Sequence, residues 1–187
     1  MTRVQLEHLI RASGAIANTQ DVIILGSQSI LGQYPNLSLQ TAYQQILVRS
    51  NEADILIPNH EEMADLIDGS IGELSAFHDT YGYYAQGVDR TTSILPQGWE
   101  ERLFLVCNAN TNYIRGHCLD IHDLMVAKLY AGRQKDIEFF LAAISLGLLS
   151  ESILFERLKL TILPEERRLS IKCRIEAGFH HEQTTIG

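Results

Sequence analysis

The sequence contains little that would build a cross-linked or membrane-bound protein. Its three cysteines, Cys107, Cys118 and Cys173, are odd in number and form no CxxC pair, so neither a disulfide framework nor a zinc knuckle is supported. Free thiols in a reducing compartment are the expectation. No apolar run has the length of a membrane span or of a signal-peptide core, and Arg3, Glu7 and Arg11 interrupt the first stretch, Met1 to Asn18; a cytoplasmic location is expected. Positive charge is scarce as well. Fifteen Lys and Arg against 23 Asp and Glu give a net charge of -8, which argues against broad coating of nucleic acid, because that requires many phosphate-neutralising cations. Repeats and low-complexity linkers are also missing, which removes solenoids and tethered arrays from consideration.

What is present suits one buried core: 187 residues, 45% of them hydrophobic. The spacing of Val4, Leu6, Leu9, Ile10 and Ile16 predicts an amphipathic first helix, weakened at Gly14. Val22–Leu25 is uniformly apolar and reads as an interior strand. A short helix to about Gln33 and another over Leu39–Leu47, capped by Ser38, precede a second strand at Ala53–Ile57. Glu61–Ile67 reads as a helix closed by Gly69, Leu74–Tyr81 as a further helix, and Tyr83–Val88 as a strand. Arg102–Cys107 and Tyr113–Cys118 form a strand pair through the Asn108–Asn112 turn. His78, Tyr81, Tyr83 and Tyr84 are read as a core edge with polar tips rather than a base-stacking platform. From Asp120 the pattern is helical: one helix around Ile121–Leu129, an apolar one over Ile137–Leu148, a third over Ser150–Leu160 with Ser150 as cap, and a fourth from Pro164. A frayed tail follows from Gly178 to Gly187. His180-His181 is read as surface. The fold class is therefore α+β, a mixed sheet flanked by helices, with 1–118 as the α/β core and 119–187 as a helical part packed on it.

Two stretches carry chemistry. In Val22-Ile23-Ile24-Leu25-Gly26-Ser27 a β-branched run ends in Gly-Ser and passes into residues that can begin a helix, an arrangement that brings a phosphate against backbone N–H groups. In Asn51-Glu52-Ala53-Asp54 the two carboxylates stand two residues apart, so on a strand both face the same side and can hold a divalent cation. Together they are the minimum equipment of metal-dependent phosphoryl or nucleotidyl transfer. The plainer alternative is a common turn and a solvated acidic pair on an edge strand.

At Gly26-Ser27, at Arg49-Ser50-Asn51-Glu52-Ala53-Asp54 and at Asp123 through Asp136, the chain resembles the DNA polymerase β-type nucleotidyltransferase superfamily. Within it the chain is similar to small bacterial nucleotidyltransferase-like proteins related to abortive-infection (AbiEii-type) toxins, over most of residues 20–148. The resemblance implies that Gly26 and Ser27 contact a nucleoside triphosphate and that Glu52 and Asp54 hold Mg²⁺ or Mn²⁺. It also implies that Lys128 and Asp136, eight residues apart, belong to the active site, with Arg133 as a second phosphate-binding cation. Glu52 departs from the family, which has Asp there. The third carboxylate expected on a neighbouring strand has its best-placed candidate in Asp89, as a further metal ligand.

Residue chemistry leaves two readings each for Lys128 and Asp136. Lys128, among Leu124, Met125, Val126 and Leu129, is either a snorkelling surface lysine or a cation aimed into a cleft. Asp136 is either the N-cap of the following helix or a site residue. The implied reaction moves a nucleoside monophosphate from an NTP to a tRNA end or a protein hydroxyl, with Glu52, Asp54, Lys128 and Asp136 as catalytic residues. A role as the toxin of a toxin–antitoxin pair, with a cognate antitoxin as partner, accompanies that likeness. The alternatives are a nucleotide- or protein-binding module without turnover, and a purely structural protein.

Overall fold

The structure is a computed structural model that describes residues 1–37 and 40–185, with side chains up to His180. Ser38, expected as a cap, and the side chain of His181 lie outside that description. Helix α1, Arg3–Ile16, opens with a reciprocal capping box between Thr2 and Gln5. Strand β1, Asp21–Leu25, follows, and beyond Gly26 comes a single 3₁₀ turn, Ser27–Ser29, leading into the one-turn α2, Ile30–Gln33. Helix α3, Ala42–Val48, is capped by Thr41 through a second capping box with Gln44, and β2, Glu52–Leu56, comes next.

Three expectations need correcting in the middle of the chain. Helix α4, Ala64–Ile71, runs through Gly69 and ends at Gly72, because one exposed glycine costs a helix only about 1 kcal/mol. Helix α5, Ala76–Tyr81, starts later than Leu74, with Ser75 accepting from the His78 N–H. After β3, Tyr84–Gly87, a long loop reaches a 3₁₀ turn at Trp99–Arg102, so β4 is confined to Phe104–Val106. Strand β5, Arg115–Cys118, pairs with it antiparallel, as expected, although the connection carries a 3₁₀ turn at Ala109–Thr111.

The remaining chain is helical: α6, Ile121–Ala131; α7, Gln134–Ser145; α8, Glu151–Lys159; and α9, Glu165–Thr185. The tail expected to fray from Gly178 is helical as far as Thr185, where the described residues end, and a Cβ at Gly178 would meet the Phe140 ring at 2.4 Å. Ser150 occupies the N-cap position of α8 without a side-chain cap bond; its N–H donates to His122 Nε2 at 3.0 Å. Around His8 the rings of Phe77, Tyr81 and Tyr83 pack at 4.8–6.0 Å, and His8 Nδ1 lies 2.7 Å from Tyr83 Oη. Tyr81 and Tyr83 thus form the expected core edge with polar tips, whereas His78 and Tyr84 pack on each other at 4.6 Å outside that cluster and the Tyr84 hydroxyl turns to Glu52.

The five strands form one mixed sheet in the order β3-β2-β1-β5-β4, with β1 parallel to β5 and antiparallel to β2, and β2 parallel to β3. Strand β1 is thus central, and Val22, Ile24 and Leu25 are at most 1% exposed, as its unbroken apolarity requires. Strand β2 is interior too, so its carboxylates do not sit on an edge. One apolar core runs from Leu6 on α1 to Ile175 on α9, drawing on the sheet and on the C-terminal helices alike. Among the described residues no helix is long and apolar enough to cross a membrane.

Candidate active site

The antiparallel register of β1 and β2 sets Leu25 opposite Asp54, so the end of β1 meets the carboxylate strand side by side. Gly26 follows with φ 60° and ψ -166°, a conformation that favours glycine. A Cβ at this position would lie 1.6 Å from Asp54 Oδ2. The glycine therefore does two jobs: it makes the turn, and it leaves room for the carboxylate. Ser29 Oγ donates to the Gly26 carbonyl at 2.8 Å and closes the turn. The short helix expected after Ser27 is present to Gln33, as the 3₁₀ turn Ser27–Ser29 followed by the one-turn α2, too short together to present a strong helix dipole to an anion.

Positive charge reaches Ser27 from elsewhere. Lys128 on α6 is 8% exposed; its Nζ donates to Ser27 Oγ at 2.8 Å and to Asp136 Oδ1 at 3.2 Å, and lies 4.5 Å from the centroid of the Phe139 ring. It is not a snorkelling surface lysine. The eight-residue spacing works because α6 ends at Gly132 in the left-handed region, φ 62°, and Arg133 caps α7 by its backbone. Asp136 then falls in the first turn of α7 with its carboxylate buried, rather than serving as the N-cap. Arg133 Nε donates to Asp136 Oδ2 at 2.7 Å while its guanidinium stays largely exposed.

The charges interact as their burial requires. Burial works against the Asp136 charge, but the Arg133 hydrogen bond and Lys128 outweigh it and hold the carboxyl below its usual range. Burial lowers the Lys128 pKa, with Asp136 pulling the other way. Asp54 has the opposite fate: burial, then the neighbouring Glu52 charge, push it up to about 6 despite the pull of Lys128. Two carboxylates face each other here with too little positive charge beside them.

Glu52 is held from the next strand. The parallel register pairs Glu52 with Tyr84 and Asp54 with Gln86, and Tyr84 Oη donates to Glu52 Oε2 at 3.1 Å. Burial and the Glu52 charge push the Tyr84 hydroxyl up to about 12, so it remains a donor. The longer arm of glutamate is thereby fixed by a partner that an aspartate at position 52 would not need to reach.

These groups line one cleft of about 610 Å³, together with Arg49, Gln86, Thr91, Thr92, Ser93, Tyr130 and Lys135. Gly26, Ser27, Glu52, Asp54, Lys128 and Arg133 all face it, and Asp136 lies directly behind Lys128 and Arg133. Asp89 does not join them. Its Oδ1 accepts from Thr91 N at 2.7 Å and Thr91 Oγ1 at 2.6 Å in the exposed loop beyond β3, and the β3 residue beside Asp54 is Gln86. The β3 side of Asp54 thus offers a neutral amide and no carboxylate. The sequence reading does not include Gln86 and gives Tyr84 only as part of a core edge; alternation in Tyr84-Ala85-Gln86 puts Tyr84 and Gln86 on one face, but which β2 residues they meet depends on register.

Among the described residues no three His, Cys, Asp or Glu side chains stand together as a metal cage. The two carboxylates nevertheless fit one Mg²⁺, which is commonly held by one or two carboxylates with water and substrate phosphates completing its shell. The unbalanced charge that raises Asp54 is what a cation would neutralise.

No curated protein and no solved structure matches the chain. A family model described as nucleotidyltransferase of unknown function (DUF6036) matches residues 4–177, nearly the whole length, and the chain belongs to that family.

Proposed function

We propose that the cleft binds an NTP with Mg²⁺ and transfers its nucleoside monophosphate to a hydroxyl, with pyrophosphate leaving. The observation that carries this reading is the meeting of three distant segments at one point: Asp54 Oδ2 lies where a Gly26 Cβ would be, and Lys128 Nζ donates to Ser27 Oγ at 2.8 Å. Lys128, Ser27 and Arg133 hold the distal phosphates, Lys128 from inside and Arg133 from the rim. Glu52 and Asp54 hold the cation, with Tyr84 fixing Glu52. Bound Mg²⁺ would supply charge neutralisation on the triphosphate and lower the pKa of the attacking hydroxyl. Asp136 keeps Lys128 charged in a buried position. The acceptors that the family likeness suggests are a tRNA end or a protein hydroxyl, and that likeness also suggests a toxin with a cognate antitoxin.

A second reading has one observation in its favour. On its β3 side Asp54 meets the neutral amide of Gln86 and no third carboxylate, which fits a nucleotide-binding descendant without turnover. Thermal shift with ATP, CTP, GTP and UTP, with and without Mg²⁺, tests both: stabilisation by at least one NTP only with the metal is expected, and none with any NTP overturns the nucleotide site. Incorporation from α-labelled NTPs into total tRNA or protein separates transferase from binder. Bound nucleotide without any labelling leaves the binder.

A further inference from the structure

Thr91, Thr92 and Ser93 line the same cleft as Ser27, Lys128 and the carboxylate pair. Their loop is pinned over the cleft. On one side Arg90 pairs with Glu61 at 3.2 Å and with Glu100; on the other Gln97 N donates to Leu160 O at 2.9 Å, and Arg102 forms a two-point contact with buried Asp123 at 2.8 and 3.0 Å. The three hydroxyls differ in how they are prepared. Thr91 Oγ1 gives its proton to Asp89 Oδ1 at 2.6 Å, Thr92 Oγ1 approaches the same oxygen only at 3.4 Å, and no hydrogen bond of Ser93 Oγ is present among the described residues. Among the described residues no group donates to Thr91 Oγ1, which leaves its lone pairs open to the cleft. A hydroxyl with a carboxylate on its proton and free lone pairs at the rim of a phosphate-binding cleft has the arrangement of a nucleophile paired with a general base.

We propose that Thr91 is itself an acceptor of the transferred nucleotide, so that the chain carries its own modification site. This rests on the nucleotidyl-transfer reading and names one acceptor for it. A Thr91 Oγ1 lone pair bonds to the α-phosphorus, and the bond from that phosphorus to the oxygen bridging to the β-phosphate breaks. Pyrophosphate leaves with the bonding pair, and the hydroxyl proton passes to Asp89 Oδ1. The product is a phosphodiester joining the nucleoside to Thr91, which leaves a nucleotide tethered at the cleft. Asp89, which stands apart from the carboxylate pair, acquires a role as the base for this hydroxyl.

The experiment incubates the full chain with each α-labelled NTP and Mg²⁺, then reads intact mass and maps the modified peptide, with total tRNA and a protein pool as a parallel acceptor arm. One added nucleoside monophosphate at Thr91 is expected. Thr91→Val, equal in shape but without the hydroxyl, should abolish that label, Thr91→Ser should restore it, and Asp89→Asn should slow it about 100-fold, the usual scale of a general base. Circular dichroism and thermal melts establish that the variants are folded. Label on another residue overturns the assignment. An unlabelled chain beside a labelled acceptor pool overturns it too while sparing the transferase. If nucleotide binds and neither chain nor pool is labelled, both proposals fall.

Discussion

The two ends of strand β1 hold carboxylates that have been treated in opposite ways. At its start Asp21 accepts from Arg115 Nε at 2.7 Å and lies 2.8 Å from His117 Nε2, both on the neighbouring β5, and the Arg115 hydrogen bond is the main reason its pKa falls to about 2. At its end Asp54, on the other neighbouring strand, is buried against Gly26 beside Glu52 and rises to about 6. One end is satisfied within the fold. The other is left short of positive charge by the fold, and strongly shifted carboxyls of this kind cluster at functional sites.

The contrast breaks hardest behind the cleft. Asp136→Ala removes the buried partner of Lys128 and should cost about 3–5 kcal/mol in chemical denaturation; a loss under about 1 kcal/mol would mean that Lys128 does not depend on it. Asp54→Asn should have the opposite sign. An acid whose folded pKa exceeds its unfolded value contributes full stability below the unfolded value and loses it as pH rises through the folded one. From 3.8 to about 6, that loss amounts to about 3 kcal/mol at 1.36 kcal/mol per unit. In metal-free buffer the wild-type chain should therefore lose stability between about pH 4 and pH 7, and Asp54→Asn should flatten that slope, gain about 1–3 kcal/mol at pH 7.5 and lose Mg²⁺-dependent nucleotide binding. Denaturation curves across pH with a chelator present decide it.

Smaller effects sharpen the comparison. Tyr84→Phe removes the donor on Glu52 and should weaken binding of the Mg²⁺–NTP complex by about 1 kcal/mol, roughly fivefold in titration calorimetry. In a Glu52→Asp background the same change should cost less, because the shorter side chain does not extend to the Tyr84 hydroxyl. Asp21→Asn should be smallest: the side chain is 37% exposed, so solvent screening limits its ion pairs to less than about 1 kcal/mol. Its contribution is present above the ordinary carboxyl pKa and is lost as pH falls through about 2, which acid titration of wild type and variant would reveal.

Much of this arrangement is legible in the sequence because it depends on local periodicity. The unbroken apolarity of Val22–Leu25 marks a central strand, and the i, i+2 spacing of Glu52 and Asp54 fixes their common face. The pairing of Lys128 with Asp136 is implied by the resemblance alone, since residue chemistry leaves two readings for each; the Gly132 turn between α6 and α7 brings them together. What is not legible depends on pairings between segments distant in sequence. Asp89 follows a strand, as a third carboxylate would, but β3 pairs so that Gln86 stands beside Asp54, and a shift of register cannot be read from composition. The same pairing delivers Tyr84 to Glu52. Helix ends are less legible: Gly69 reads as a stop but is exposed and merely tolerated, and the tail from Gly178, read as frayed, continues α9 where the bare Cα of Gly178 admits the Phe140 ring.

The difference in accessibility between Lys128 and Arg133, joined through one carboxylate, makes the cleft's response to salt separable into two parts. Mobile ions screen the exposed guanidinium over a Debye length of about 8 Å at physiological ionic strength, whereas they have little access to an ammonium packed over Phe139. Raising salt should thus erode the contribution of the rim and leave that of the interior. Affinity for a triphosphate should fall to a plateau set by Lys128 rather than decline without limit, so the cleft would retain a nucleotide under ionic conditions that strip polyanions from an open basic surface.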